Sequence, residues 1–352
     1  MRIIRTSILA GLVAGVAMLT FGSAQAAERC HLAWSHYTGW EPMGWIQDSG
    51  LAKKWGQKYG VDFKWTLIND YVESINQYTA GSFDGVAVTN MDALTIPAVG
   101  GIDTTFLVVG DFSNGNDGIL LKSRDPSMMG LTGKKVKLVE FSVSHYLLAR
   151  ALGMNGLSEK DVSVVNTSDA DLGALIATSA PGDAFVTWNP ILMTGRNVRG
   201  ITMVFDSSRI PGEIIDTIAV RTNVSENCKK AVAGAWYEAM KVMAGIGPET
   251  DAMIKAMARQ AGGTEAEFKA QLRTTRMFYN PAEAAAFAVG PDIKKTMEFV
   301  AKFSFDHGLY KEARNDRAVG IQYPDGTVWG NPKNVRLRFD DSYMKLAADG
   351  KL

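Results

Sequence analysis

The sequence predicts an α/β protein, and three observations lead there. Short β-rich runs alternate with helical stretches from about residue 31 to residue 190, the rhythm of parallel strands covered by crossover helices. The chain has 352 residues, 46% of them hydrophobic and 21% charged, which excludes a disordered or collagen-like polymer and suits about two domains at ~150 residues each. From Ser225 the pattern changes to consecutive helices.

Taken in order, His31 to Ser35 reads as a strand, followed by a helix with Trp45, Leu51, Ala52 and Trp55 that runs to Tyr59 and stops at Gly60. Val61, Phe63, Trp65 and Leu67 alternate with polar neighbours as a strand. A helix from Tyr71 to Ala80 ends at Gly81, and Gly85 to Thr89 resumes strand. The rhythm continues through strands at Thr105–Gly110, Lys135–Glu140, Val162–Val165 and Ala184–Thr187, with a helix at Ser144–Leu152. Helices follow at about Lys229–Ala244, Glu249–Gln260, Glu265–Arg273 and Ala282–His307; Thr264 with Glu267 makes a capping box, and Pro281 suits a first turn. After Leu309 the signals fade into Gly, Pro, Asn and Asp, so a mostly irregular tail is expected. A faint echo between Ala80-Gly81-Ser82-Phe83-Asp84-Gly85-Val86 and Ala180-Pro181-Gly182-Asp183-Ala184-Phe185-Val186 fits two lobes of similar topology.

Arg2 and Arg5 precede an apolar run from Ile8 to Phe21 that ends at Ala24-Gln25-Ala26, the pattern of a cleaved secretory signal peptide. Cleavage after Ala26 removes two Arg and no acid, leaving 35 basic side chains against 37 acidic ones. Ala27-Glu28-Arg29 before Cys30 does not resemble a lipoprotein cleavage box, so a periplasmic protein is expected. Cys30 and Cys228 form an even count in an oxidising compartment, which permits one disulfide but equally two free thiols. Balanced charge with no run of five or more Lys or Arg gives no reason to expect nucleic acid as a partner.

Catalytic signatures are missing: no P-loop, no dinucleotide turn, no G-x-S-x-G elbow and no H-E-x-x-H. His31, His36, His145 and His307 show no metal-ligand spacing, and C-x-x-C is absent. Neither a cofactor, nor a resident metal, nor an enzyme is expected.

Gly50-Leu51-Ala52-Lys53-Lys54-Trp55-Gly56, Tyr59-Gly60-Val61-Asp62 and Ala80-Gly81-Ser82-Phe83-Asp84 together resemble the solute-binding proteins of nitrate-, taurine- and sulfonate-type ABC importers, the family similar to thiamine pyrimidine synthases. Leu131-Thr132-Gly133-Lys134-Lys135-Val136, Asp161-Val162 and Trp188-Asn189-Pro190 agree in order and spacing over most of residues 30 to 245. The long tail after Leu309 is similar to the subgroup associated with urea carboxylase, whose suggested cargo is urea or guanidine. The resemblance implies a two-lobed α/β periplasmic binding protein fold of type II, with two hinge crossovers and the ligand in the cleft. It places residues 27–113 and 218–352 in the first lobe and 114–217 in the second. It also implies a monomer that serves an inner-membrane permease.

Ligands of open α/β sheets bind beyond the carboxyl ends of the strands. The segments there are 34–40, 69–73, 89–92, 111–117, 140–145, 187–189 and 213–217, and none holds a Lys or Arg. In or beside them stand nine carboxylates, among them Asp92, Asp111, Asp117, Glu140 and Asp216, and the aromatics Trp34, Tyr37, Trp40, Tyr71 and Trp188. Aromatic faces with carboxylates suit a small nitrogen-rich cation such as guanidinium. Candidate ligand contacts are Trp34, Tyr37, Tyr71, Thr89, Asn90, Asp111, Glu140, Ser142, Ser144, Trp188 and Asp216; Ser142, Ser144 and Thr89 could equally be helix caps. Urea, a thiamine-precursor pyrimidine or a sulfonate are alternative cargoes. A pyrimidine-synthase-like enzyme is the rival of another class, although it would want a cysteine-rich cluster.

Overall fold

The computed structural model describes residues 27–310 and 313–352, so the expected signal peptide lies outside the described residues. The chain opens with strands β1 (Glu28–Trp34), β2 (Val61–Leu67), β3 (Gly85–Thr89) and β4 (Thr104–Ser113). It then crosses to β5 (Asp117–Lys122), β6 (Lys135–Leu138), β7 (Ser163–Asn166), β8 (Ala184–Trp188) and β9 (Ile201–Asp206). It returns through β10 (Ile215–Arg221), β11 (Thr275–Met277), β12 (Gly320–Gln322), β13 (Val328–Trp329) and β14 (Val335–Phe339). The larger sheet has the order β13-β12-β14-β4-β10-β3-β1-β2, with β11 beside β4; the smaller is β7-β6-β8-β5-β9.

Each sheet is the core of one lobe, and the lobes are joined where β4 passes to β5 and β9 to β10. β10 lies wholly in the larger sheet, between β3 and β4, so residues 215–217 go with it rather than with the middle of the chain. The strands that follow the crossovers run antiparallel to their neighbours, β10 to β3 and β4, and β5 to β8 and β9. Both sheets are therefore mixed rather than purely parallel, because a chain that enters a sheet from the hinge runs opposite to the βα units it joins.

Local sequence accounts for most element ends. The Asp70 side chain accepts the Glu73 N–H at 2.9 Å and starts the helix Tyr71–Ala80; Gly81, with φ of 92°, stops it. The expected Thr264–Glu267 capping box is present. Two expected helices are each broken in two. Gly50, at φ of 84°, separates Glu41–Asp48 from Leu51–Tyr59, and Gly290-Pro291 separates Pro281–Val289 from Pro291–Asp306. The tail corrects its expectation most. Leu337 and Phe339 alternate with Arg336 and Arg338, and burying that apolar face carries β14 into the larger sheet, parallel to β4. No described helix is long and apolar enough to cross a membrane.

Cys30 in β1 and Cys228 in the helix Glu226–Met243 are bridged across 198 residues of chain. Closing so long a loop removes much denatured-state entropy. Cys30→Ser with Cys228→Ser should lower the unfolding free energy by about 2–5 kcal/mol, read as a drop in denaturant midpoint. An unchanged midpoint would assign the bridge no stabilising role.

Candidate ligand-binding site

The carboxyl ends of β1, β3 and β4 face the carboxyl end of β8 and the start of β5 across the hinge. Between them lies a small cavity lined by Tyr37, Trp40, Tyr71, Thr89, Asp117, Val143, Trp188, Ile214 and Asp216. The closed walls leave it only about 10 Å³ free, room for about one water molecule, so a cargo of even a few heavy atoms needs the rings to move apart.

Its walls are aromatic. Tyr37 and Trp40 meet edge to face at 5.1 Å, Trp40 lies 5.5 Å from Tyr71, and Tyr71 lies 5.5 Å from Trp188. Trp188 stands in the smaller lobe, and its indole N–H donates to the His36 carbonyl of the larger lobe at 3.2 Å. The lobes also touch where Ser168 Oγ donates to Asp70 Oδ2 at 2.9 Å and the Tyr71 N–H to Asp169 Oδ1 at 3.3 Å. The cleft is closed.

Behind and between the rings stand Asp92, Asp111, Asp117 and Asp216, each 2% exposed or less. Among the described residues none of them pairs with a Lys, Arg or His. The Tyr71 hydroxyl donates to Asp92 Oδ2 at 2.7 Å, as does Thr89 Oγ1 at 2.8 Å, and the Tyr37 hydroxyl donates to Asp111 Oδ1 at 2.8 Å. Asp92 Oδ1, Asp111 Oδ2 and Asp216 Oδ2 remain buried without a partner. Asp216 sits opposite Asp111 in the β10–β4 ladder, and their carboxyls approach within hydrogen-bonding reach. Gly39 permits the loop above them: a Cβ there would lie 2.3 Å from Asp111 Oδ2.

Burial dominates the protonation of all four. It pushes Asp117 up to about 7 and Asp92 up to about 6, the latter against the pull of the Tyr71 and Thr89 hydroxyls. Asp111 and Asp216 are raised by burial, and Asp216 further by the charges of Asp111 and Asp117, so the pair holds a proton that ordinary aspartates would have lost.

Of the candidates read from sequence, Tyr37, Tyr71, Thr89, Trp188 and Asp216 line the cavity, and Asp111 lies directly behind Tyr37. The others are elsewhere. Trp34 ends β1 and packs edge-on against His36. Asn90 accepts the Ile215 N–H and donates to the Glu213 carbonyl, pinning the second crossover. Ser142 caps the helix Val143–Met154, and Ser144 is buried within its first turn. Glu140 opens instead onto an outer groove with Asp70, Glu73 and Asp169. Asp117, Asp92 and Trp40 were legible as members of the cation-free segments but not as contacts, because nothing in the sequence marked β5 as a strand starting at Asp117.

The two lobes, the double crossover and the cavity between the sheets define the periplasmic binding protein fold. The chain superposes on the alkanesulfonate-binding protein from Xanthomonas axonopodis pv. citri bound to MOPS with a TM-score of 0.65, 16% identity and coverage of 82% of this chain and 96% of that one. The aliphatic sulphonate binding protein from Escherichia coli gives 0.64 at 17% identity, covering 82% and 95%. The nitrate-binding protein from Synechocystis PCC 6803 gives 0.57 at 13%, covering 93% and 99%. No protein-family profile and no curated relative matches the sequence.

An acid whose native value is raised binds more protons in the folded than in the unfolded chain between its two values. Stability therefore falls as pH rises from about 4 to about 7, the window set by Asp117. Melting of the ligand-free protein should decline across that window, and Asp117→Asn should flatten the decline. A wild-type profile that rises from pH 5 to 7 would contradict the burial of these acids.

Proposed function

We propose that this protein is the cargo-binding component of an ABC importer, working outside the cytoplasmic membrane and closing its lobes on a small planar cation of the guanidinium class. The observation that carries the reading is the set of buried, ion-unpaired carboxylates inside an aromatic box. A guanidinium offers N–H donors to Asp117 and Asp216, which line the cavity, and a flat face to Trp188 or Tyr71. Its charge lets those acids ionise. An anion such as nitrate or a sulfonate would meet like charge: at ~4 Å and an effective dielectric of ~20, one ionised carboxylate opposes it by about 4 kcal/mol. The structural neighbours support the two-lobed capture mechanism, and their anionic cargoes are theirs. On this reading the chain acts as a monomer and presents the closed shape to a permease in the inner membrane.

Titration calorimetry of the mature protein should detect guanidinium, tighter at pH 8 than at pH 6 because the acids must lose protons to pair with it. Heat from taurine or nitrate with none from any cation would overturn the charge argument. Equal affinity for urea at both pH values would make the cargo neutral.

A second expectation separates binding from folding. Asp117→Asn should weaken guanidinium binding by ~30-fold or more, the ~2 kcal/mol of a buried charge contact, while raising the melting temperature of the ligand-free protein at pH 8. Trp188→Ala should cost a similar factor in affinity through its ring face. Trp55→Ala should instead cost ~3–5 kcal/mol of stability with affinity kept, since Trp55 packs on Gly234 away from the cleft. Unchanged affinity in folded Asp117→Asn and Trp188→Ala proteins would remove both residues from the site.

A further inference from the structure

Away from the cavity, a carboxylate is held between two imidazoles that come from different lobes. Glu159 follows the helix Val143–Met154 in the smaller lobe; its Oε1 lies 2.6 Å from His145 Nε2, and its Oε2 meets His307 Nε2. His307 caps the carboxyl end of the helix Pro291–Asp306, which packs on the larger lobe through buried Met297 beside Asn90 and on the second crossover through Thr296, whose hydroxyl donates to the Gly212 carbonyl. The pair therefore closes across the cleft. Both supports flank the cavity: the smaller lobe's helix begins at Val143, which lines it, and Asn90 follows Thr89, which also lines it.

The protons of this cluster are fixed by its neighbours. His307 Nδ1 lies 2.7 Å from the Phe303 carbonyl, which can only accept, and Nε2 faces an ionised carboxylate, which also can only accept. Both ring nitrogens must then carry hydrogen, so His307 is an imidazolium. Its position at a helix carboxyl end favours that charge. His145 differs. The Phe141 N–H donates to its Nδ1 at 3.1 Å, holding a turn in which Phe141 has φ of 62°, so Nε2 carries the single proton and gives it to Glu159. Two histidines and a glutamate otherwise have the composition of a transition-metal site. His145 offers no lone pair at the nitrogen that would have to bind one.

We propose that His145, Glu159 and His307 form a proton-dependent latch between the lobes, which stabilises the closed state while His307 is charged and releases it when that proton is lost.

The groups facing His307 among the described residues are Glu159 and His145 from the smaller lobe and Asp306 on its own helix, itself bonded to Lys302 at 2.8 Å. Burial works against the charged ring, but the bonds to Glu159 and Phe303 and the charges of Glu159 and Asp306 outweigh it and raise His307 above its ordinary value. Burial would likewise raise Glu159, yet the two imidazoles hold it down at about 2. With the lobes apart His307 loses Glu159. The latch is thus fully formed below the ordinary histidine value of ~6.5 and fades as pH rises through the raised one. By reciprocity, a proton that binds the closed form more tightly must favour closure. This does not depend on what the cargo is. It runs opposite to the cavity acids, whose ionisation at high pH favours a cation.

The test uses the full mature protein without cargo. Long-range proton–nitrogen spectra of the imidazoles, assigned by single His→Gln variants, should show both His307 nitrogens protonated at pH 7. Its titration should lie above pH 6.5 and fall back in Glu159→Gln. Small-angle scattering should give a radius of gyration that grows from pH 6 to pH 9 in the wild type and stays constant in His307→Gln, which keeps one donor to Glu159 but cannot titrate. A His307 titration at or below 6.5, or an equal change of radius in both proteins, would overturn the latch. Binding of one zinc per chain that is lost in His307→Gln would replace it with a metal site.

Discussion

Negative charge kept out of water without a protein cation is the constraint on which this structure turns. Four aspartates stand between the lobes, and the described residues give them hydroxyl groups and, at Asp92, a helix N-terminus, but no cation. An isolated carboxylate in such surroundings either takes a proton or waits for a counter-ion. Everything around the cavity serves to hold that state: the Gly39 loop that lies against Asp111, the Asp216–Asp111 register of β10 and β4, and the indole of Trp188 bonded back to His36. A closed lobe pair with an unsatisfied interior is poised energetically.

Much of the frame was legible because local chemistry decides it. The helix Tyr71–Ala80 begins and ends where Asp70 and Gly81 say it must, and β3 and β8 begin at the residues their burial pattern marks. The misses have a common cause. Asp117 does not stand out in the sequence because β5, buried from Asp117 to Leu121, follows a hinge of Ser, Asn and Gly that reads as loop. Glu140 was favoured because it follows a strand, yet the chain turns sharply at Phe141 and leaves that carboxylate in the outer groove. The tail read as irregular because its strands are two to five residues long and depend on pairing with β4 rather than on their own pattern. Sequence places residues at strand ends; only the register between distant strands says which of them converge.

The structural neighbours share this frame at 13–17% identity, which fixes the backbone plan and leaves the cleft free to vary. In this fold the cargo is met by loops after strands and by helix starts, and those positions can change sign without disturbing the sheets. Here the helix that begins at Val143 points its N-terminus toward Asp92, whose carboxylate it steadies. A helix start that could have held an anionic cargo is occupied by the protein's own acid.

One helix touches both the cavity and the proposed latch. Val143 lines the cavity, and His145, on the next turn position but one, reaches Glu159 and through it the opposite lobe. Around that single turn the Phe141 N–H donates to His145 Nδ1 at 3.1 Å and the His145 N–H donates to the Ser142 carbonyl at 3.0 Å. For a cationic cargo the aspartates and His307 pull with pH in opposite senses. Acid favours the His307 contact, whereas alkali frees the cavity acids to take a cation.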